Sequence, residues 1–352
     1  MADTRRAVIR AGLESLYFSG IHRLARQFVA GMGAILTFHR VRPADSAAFQ
    51  PNRALEITPE FLEEVVVALR AANVDLVSLD EVHRRLMAGS ECRRFVALTF
   101  DDGYRDNRDH AWPILKRRGA PFGLYVASGL ADGRGELWWV ALEEAIARHD
   151  RIAVGIDGTR RVFDCSTLEA KRASFATLYS HLRGSSTEAQ LRALIREIAA
   201  RYDVDLDREC RELCMGWTEL AEIAADPLAT IGAHAVSHPI LSKLSEAEVR
   251  AEMLDGAAAI AAKLGRRPEH FAYPVGQPDA AGPREFALAQ EAGFKTAVTT
   301  RPGVLFPDHA EHLTALPRIS VNGEFQRRRY LDVLLSGAPT ALKNGFRRVD
   351  AA

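Results

Sequence analysis

One stretch constrains the fold more than any other, Val96-Ala97-Leu98-Thr99-Phe100-Asp101-Asp102-Gly103-Tyr104. An apolar, strand-forming run leads straight into two adjacent carboxylates and a glycine. The run is too short for a helix and rich in strand formers, so it reads as a buried strand. Packing gives such a strand no reason to end in two aspartates, because a carboxylate is rarely buried without a partner. Two acids and a turn glycine at a strand's end point to a site at the C-terminal mouth of an α/β fold. Taken alone, Asp101-Asp102-Gly103 is equally a polar turn; the strand before it and the histidines downstream decide against that reading.

The rest of the chain supplies the matching strands. Ala34 to Phe38 reads as the first strand and delivers His39 at its end. Thr58 suits an N-cap and Pro59 a first turn, with Phe61, Val65 and Leu69 on one helix face. Val74 to Leu79 is expected as the second strand and Asp80 to Met87 as a helix. Val96 to Phe100 is the third strand. A helix over 106–118 follows, with Pro113 implying a kink or a late start. Phe122 to Val126, Ala229 to Ala233, Phe271 to Tyr273, Thr296 to Thr299 and Leu316 to Val321 complete eight strands. Most are followed by helices, such as those over 246–264 and Glu285 to Ala292. The alternation predicts parallel strands and an α/β fold, a distorted (β/α) barrel over 34–323.

Residues 131–215 break this rhythm. Leu142, Ile146, Leu191, Leu194, Ile195 and Ile198 give helical faces, Ile152 to Val162 a hairpin about Asp157-Gly158, and Gly184-Ser185-Ser186 a loop. This segment is expected as a helical insertion over the barrel mouth. Its Trp138-Trp139 pair is either core or a platform for sugar rings. The tail 324–352 is an extension, expected to be loose from Thr340. His309 and His312 are expected on the surface.

With 352 residues and a formal net charge of +0, the chain carries no broad electrostatic case for nucleic acid. Four cysteines, Cys92, Cys165, Cys210 and Cys214, are too few for a disulfide framework and read as reduced thiols. In the N-terminal segment 1–33, Leu13, Leu16, Tyr17, Ile21, Leu24 and Phe28 recur at helical spacing with Arg23 and Arg26 interleaved. That helix either packs on the domain or lies on the inner membrane surface. The apolar run from Phe28 to Phe38 ends in His39-Arg40 rather than a small-residue cleavage site, and nothing reaches the length of a membrane span. A cytoplasmic location, peripheral to the membrane in the second reading, is the expectation; oligomeric state is unspecified.

His234-Ala235-Val236-Ser237-His238-Pro239 is the second constellation. Two imidazoles four residues apart can meet one ion if the segment turns. With one carboxylate they form a donor set that leaves a catalytic zinc an open position for water.

Thr99 to Tyr104, His234 to His238 and Phe271 to Gly276 resemble the motifs of the NodB-like polysaccharide deacetylases, metal-dependent carbohydrate esterases. The resemblance implies that Asp102, His234 and His238 hold a divalent ion, zinc first, with Co2+, Mn2+ or Ni2+ as alternatives. It makes Asp101 the general base and the Tyr104 backbone N–H an oxyanion donor. Tyr273 and Pro274, with Trp138 and Trp139, stand as substrate-binding candidates. Three departures stand out. Ala235 replaces a usual Ser or Thr. No Arg precedes Pro274, so Arg318 at the eighth strand is the substitute partner for the base. No late Leu-x-x-His supplies an acid, so His39 becomes the candidate, an order similar to the permuted branch that acts on N-acetylglucosamine polymers. The implied activity is N-deacetylation of a glycan or a nucleotide- or lipid-linked sugar precursor. The alternatives are a catalytically weak glycan-binding barrel and an amidase on a non-sugar substrate.

Overall fold

The computed structural model describes residues 2–89, 93–156, 158–184 and 187–351, with side chains from residue 6. Cys92, Asp157, Ser185 and Ser186, which entered the expectations above, lie outside them.

Eight parallel strands form the central sheet: β1 (Gly33–Phe38), β2 (Asp75–Leu76), β3 (Phe95–Phe100), β4 (Phe122–Val126), β5 (Ala229–Ala233), β6 (His270–Ala272), β7 (Thr296–Pro302) and β8 (Leu316–Ser320). Their order is β1-β8-β7-β6-β5-β4-β3-β2, and β1 also pairs with β3 from Gly33↔Phe95 to Phe38↔Phe100. Seven strands therefore close the barrel, and β2 is a two-residue spur on β3. The expected full strand at Val74 to Leu79 is cut short because Ser78 caps a helix that already begins at Leu79. With the second strand displaced, β1 meets β3 directly, which is the distortion of this barrel.

Side-chain alternation sorts the strands into two layers. Ile35, Phe95, Ala97, Tyr125, Ala272, Val298 and Leu316 share an apolar cluster inside the barrel. Leu36, Phe38, Val96, Leu98, Phe100, Phe271 and Tyr273 join the larger cluster under the helices. All six residues of β1 and of β3 are buried, as strands covered on both faces must be. Gly232 leaves room across the interior: a Cβ there would lie 2.4 Å from the Tyr125 ring.

The helix after the Asp101-Asp102 turn contains a wide π-type turn at Asn107–Ala111 and continues as Trp112–Arg117. Pro113 removes a donor and crowds the carbonyl four residues back, so the wider turn is where the expected kink appears. The insertion holds the helices Trp138–Arg148, Leu168–Gly184, Glu188–Arg201 and Leu206–Leu213 and the hairpin Arg151–Ile156 with Thr159–Asp164. It has its own apolar cluster, which reaches the mouth at Tyr104, Ile240 and Ala280.

Two expectations for the C-terminal part are corrected. The tail is not loose: it forms the helix Ala338–Lys343, and buried Arg301 donates to the Asp350 carbonyl and carboxylate. His309 is not a surface residue. It is buried against Phe306, and burial pushes its pKa down to about 4; His312 is exposed.

Candidate metal and catalytic site

The site lies where β1, β3 and β5 end, with β8 reaching it from within the strand. Asp101 continues the inward alternation of β3 after Thr99, His234 that of β5 after Gly232, and Arg318 lies inside β8 after Leu316. Asp102 then turns out of the strand with φ 69, followed by Gly103 with φ 68. Ala235 and His238 also take left-handed conformations, at φ 65 and 56. Such backbone costs about 1–3 kcal/mol per residue and persists only where its surroundings impose it.

The imposing groups are visible. Glu252, on the helix Glu246–Leu264, accepts hydrogen bonds from the Val236 and Ser237 backbone N–H groups at 2.8 and 2.9 Å and from the Ser237 hydroxyl at 2.7 Å. Gly256 lets that helix approach, since a Cβ there would lie 2.8 Å from the Ala235 carbonyl oxygen. From the insertion, Arg192 donates to the Ser237 carbonyl at 2.7 Å. The hydroxyl missing at Ala235 is thus not what braces this loop. The motif around Asp101 is strapped by the end of the insertion, where the Met215 N–H donates to the Gly103 carbonyl at 3.0 Å. Glu252 and Arg192 were not found from sequence, because nothing in the residue pattern marks which helical Glu or which insertion Arg turns to this loop, 15 and 45 residues away respectively.

Asp102 Oδ1 lies 3.3 Å from His234 Nε2 and 3.3 Å from His238 Nε2, and all three side chains are buried. Candidate ligand atoms of the three lie within 4.8 Å of one another. His234 Nδ1 lies 2.7 Å from the Ala272 carbonyl, which can only accept, so Nδ1 carries a proton and Nε2 is the ring atom turned to Asp102, the one a metal ion would take. Asp102 Oδ1 is buried with no hydrogen-bond partner among the described residues, an acceptor that a cation at this point would satisfy. Tetrahedral bonds of about 2.0–2.1 Å put two ligand atoms about 3.3 Å apart. The three donors therefore fit a divalent ion. Burial pushes the Asp102 carboxyl up, but the His238 and His234 imidazoles outweigh it and hold the group well below the usual carboxylate range.

Asp101 meets Arg318 in a two-pronged contact, Nη1 to Oδ1 at 2.7 Å and Nη2 to Oδ2 at 2.6 Å. Arg318 is completely buried; its Nε–H reaches the Thr299 carbonyl at 2.8 Å and a second Nη1–H the Thr99 hydroxyl at 3.2 Å. Burial raises the Asp101 carboxyl, yet the Arg318 charge and hydrogen bonds prevail and keep it lowered. His39 Nε2 lies 3.9 Å from Asp101 Oδ2, with the His39 side chain 22% exposed. Asn107 Nδ2 donates to the His39 carbonyl at 2.8 Å, and Asp106 accepts from Arg40 and the Val41 N–H. Burial lowers the His39 pKa against the raising charges of Asp102 and Asp101.

The substrate-binding expectations fare differently. Tyr273 is fully buried, and its hydroxyl donates to the Thr314 carbonyl at 2.7 Å. Alternation along β6 turns Ala272 inward and Tyr273 toward the helices, so no sugar reaches its ring. Pro274 is also buried. Trp138 and Trp139 are 3% and 6% exposed and belong to the core of the insertion. Trp139 packs on His238 with ring centroids 5.0 Å apart, and its Nε1–H donates to the Tyr104 hydroxyl at 3.1 Å. It holds the site rather than a glycan. Trp139→Ala should therefore weaken metal retention and stability. A rise in the Michaelis constant confined to long glycans, with metal retention intact, would refute this assignment.

The Cys210–Cys214 spacing makes no metal site: Asp102, His234 and His238 are the only such cluster among the described residues, and both thiols are free and buried.

The family model described as polysaccharide deacetylase matches residues 88–297. Among solved structures, the fold is similar to the deacetylase PplD of Streptococcus pyogenes in complex with acetate, at 18% identity and TM-score 0.55, covering 86% of this chain and 97% of that one. IcaB from Ammonifex degensii is similar at 19% identity and TM-score 0.55, with 87% and 97% covered. The putative polysaccharide deacetylase BA0330 from Bacillus anthracis is similar at 13% identity and TM-score 0.55, with 86% and 68% covered. No curated protein sequence matches the chain.

Proposed function

The chain belongs to the polysaccharide deacetylase family, and on that premise we propose that it hydrolyses the N-acetyl group of an N-acetylated sugar, in a glycan or glycan precursor, and releases acetate. One observation carries the assignment to this site: a carboxylate held ionised by the buried fork of Arg318 stands in sequence beside the Asp102, His234 and His238 donor set.

In this reading Asp102, His234 and His238 hold the ion, zinc in the first instance because nitrogen and carboxylate donors suit it. When bound, the ion lowers the pKa of water and polarises the acetyl carbonyl. Asp101 accepts the proton as the water oxygen adds to the carbonyl carbon. Arg318 fixes which carboxylate orientation is presented and keeps it unprotonated. The Tyr104 backbone N–H stabilises the oxyanion. The C–N bond then breaks, acetate keeps the water's oxygen, and the nitrogen leaves as an amine with a proton delivered by His39. An acid on β1 and the Arg partner on β8 support the permuted order of motifs, and with it an N-acetylglucosamine polymer as substrate class.

The test is acetate release by the metal-loaded protein from N-acetylglucosamine oligomers. Release from non-sugar amides alone would favour the amidase reading, and glycan binding without release the binding-barrel reading. Two substitutions probe the supports. Arg318→Lys keeps the charge but not the fork, so kcat should fall by about one to two decades with metal content unchanged. An unchanged kcat would remove Arg318 from the mechanism. Glu252→Ala frees the left-handed histidine loop and should weaken metal affinity by about 10–100-fold, as the loss of outer partners does elsewhere. Equal affinity by competition with a chelator would show that the loop holds itself.

A further inference from the structure

At the opposite end of the barrel lies a cavity of about 450 Å3. Arg94, which lines it, precedes β3, whereas Asp101 follows β3, so the six-residue strand separates this cavity from the catalytic mouth by about 20 Å. Four guanidiniums line it, those of Arg23, Arg26, Arg94 and Arg328, together with His22 and one carboxylate, Asp332. Asp332 stands 3.9 Å from Arg328. Arg23, Arg26 and Arg94 have no carboxylate within ion-pair reach among the described residues. In a chain of zero net charge, this is a local excess of cation in a concave place.

Arg94 reports the crowding. Its Nη2 donates to the carbonyls of Ala30 and Leu335, but its buried Nε has no hydrogen-bond partner among the described residues. Burial, and then the like charge of Arg26, pushes its pKa down to about 10. An anion in the cavity would relieve both.

The helix Ile21–Val29, which supplies His22, Arg23 and Arg26, is amphipathic the wrong way round. Its stripe Ile21, Leu24 and Phe28, spaced as one face, is 52%, 70% and 72% exposed, while His22 is buried. Phe18, just before it, is also exposed. An ordinary surface helix turns such a stripe to the core. A helix at a bilayer surface turns it to the acyl boundary, with arginines at headgroup level. No helix among the described residues is long and apolar enough to cross a membrane.

We infer that this end of the barrel docks on a bilayer and that the cavity takes the phosphate headgroup of an anionic phospholipid. Ile21, Leu24 and Phe28 enter the boundary, and Arg23, Arg26, Arg94 and Arg328 face the phosphate. The catalytic mouth then opens away from the membrane, toward a glycan in the aqueous phase. The proposal is independent of the chemistry at the mouth.

Sedimentation of the full chain with vesicles tests it, using phosphatidylcholine alone and phosphatidylcholine with an equal part of phosphatidylglycerol. The anionic vesicles should bind at least about tenfold more tightly, since each basic residue near the surface contributes about 1 kcal/mol. Arg23→Glu with Arg26→Glu should abolish that preference. Leu24→Ser with Phe28→Ser should remove binding to both vesicles, without changing acetate release from soluble oligomers. These four side chains are exposed, so the fold should survive, which circular dichroism checks. Four results would each overturn the proposal. The wild type fails to sediment with vesicles. The Arg double variant keeps its preference. Inorganic phosphate raises the melting temperature in a protein that ignores vesicles, making the cavity a free-anion site. Or the wild type is a dimer that Leu24→Ser with Phe28→Ser dissociates, making the stripe a contact with a second copy.

Discussion

His238→Ala should cost the protein its metal and its activity together. Three donors converge on one point, and Asp102 Oδ1 is 3.3 Å from each histidine Nε2. Removing one leaves a two-coordinate set open to solvent, while catalytic zinc sites rely on three protein ligands. Losing an outer partner of a ligand already costs about 10–100-fold in affinity, so losing the ligand itself should exceed that. Activity should follow the metal, because water activation and carbonyl polarisation both go with it. The fold should remain: Glu252 still binds the Val236 and Ser237 N–H groups and Arg192 the Ser237 carbonyl. The void left beside Trp139 should lower the melting temperature modestly. Metal content by mass spectrometry beside a circular dichroism spectrum separates the cases. Stoichiometric metal in a folded His238→Ala protein would remove His238 from the ligand set.

The strands that carry the chemistry were legible because their signals are local. The inner and outer layers are written in alternation: Asp101 and His234 each follow a strand in phase with its inward residues, and Arg318 sits within β8 in the same phase. The same alternation, applied to Phe271-Ala272-Tyr273, would have excluded Tyr273 from the substrate set. Its aromatic ring beside a motif suggested a sugar contact, but its phase points it to the helices.

The groups that hold the site were not legible. Glu252 lies on a helix face whose partner loop is set by tertiary packing, and Gly256 beside it only permits the approach. Trp138 and Trp139 carry the same sequence signal whether they bind sugars or fill a core; the separate apolar cluster of the insertion decides for the core. The second strand was over-read because Val74 to Leu79 is apolar enough for a strand, while the Ser78 cap, worth about 1 kcal/mol, ends it early. The basic cavity gathers arginines from the N-terminal helix, the start of β3 and the helix Arg328–Leu335. No window of sequence contains them together.

His39→Ala should separate proton delivery from binding. An amine is a poor leaving group until it is protonated, so amide hydrolysis needs an acid at the nitrogen. His39 is the imidazole that β1 brings to the mouth beside the base, with Nε2 3.9 Å from Asp101 Oδ2. Burial lowers its pKa, so it rests neutral near pH 7 and must acquire its proton within the cycle. The proton that Asp101 takes from water is the available one. A small rotation of the imidazole would bring Nε2 within hydrogen-bond reach of Asp101, and the pair could then pass that proton to the nitrogen. Asn107 fixes the backbone from which this rotation starts. Loss of the acid should lower kcat on N-acetyl substrates by about two to four decades, the usual range for acid–base catalysis. An activated acetate ester, such as a nitrophenyl ester, expels its leaving group without a proton, so its hydrolysis should fall far less. Metal content should not change, because His39 is not among the three converging donors. Equal losses on amide and ester would give His39 a binding role and return the delivery step to Asp101 alone. A metal-free His39→Ala protein would make it a fourth ligand.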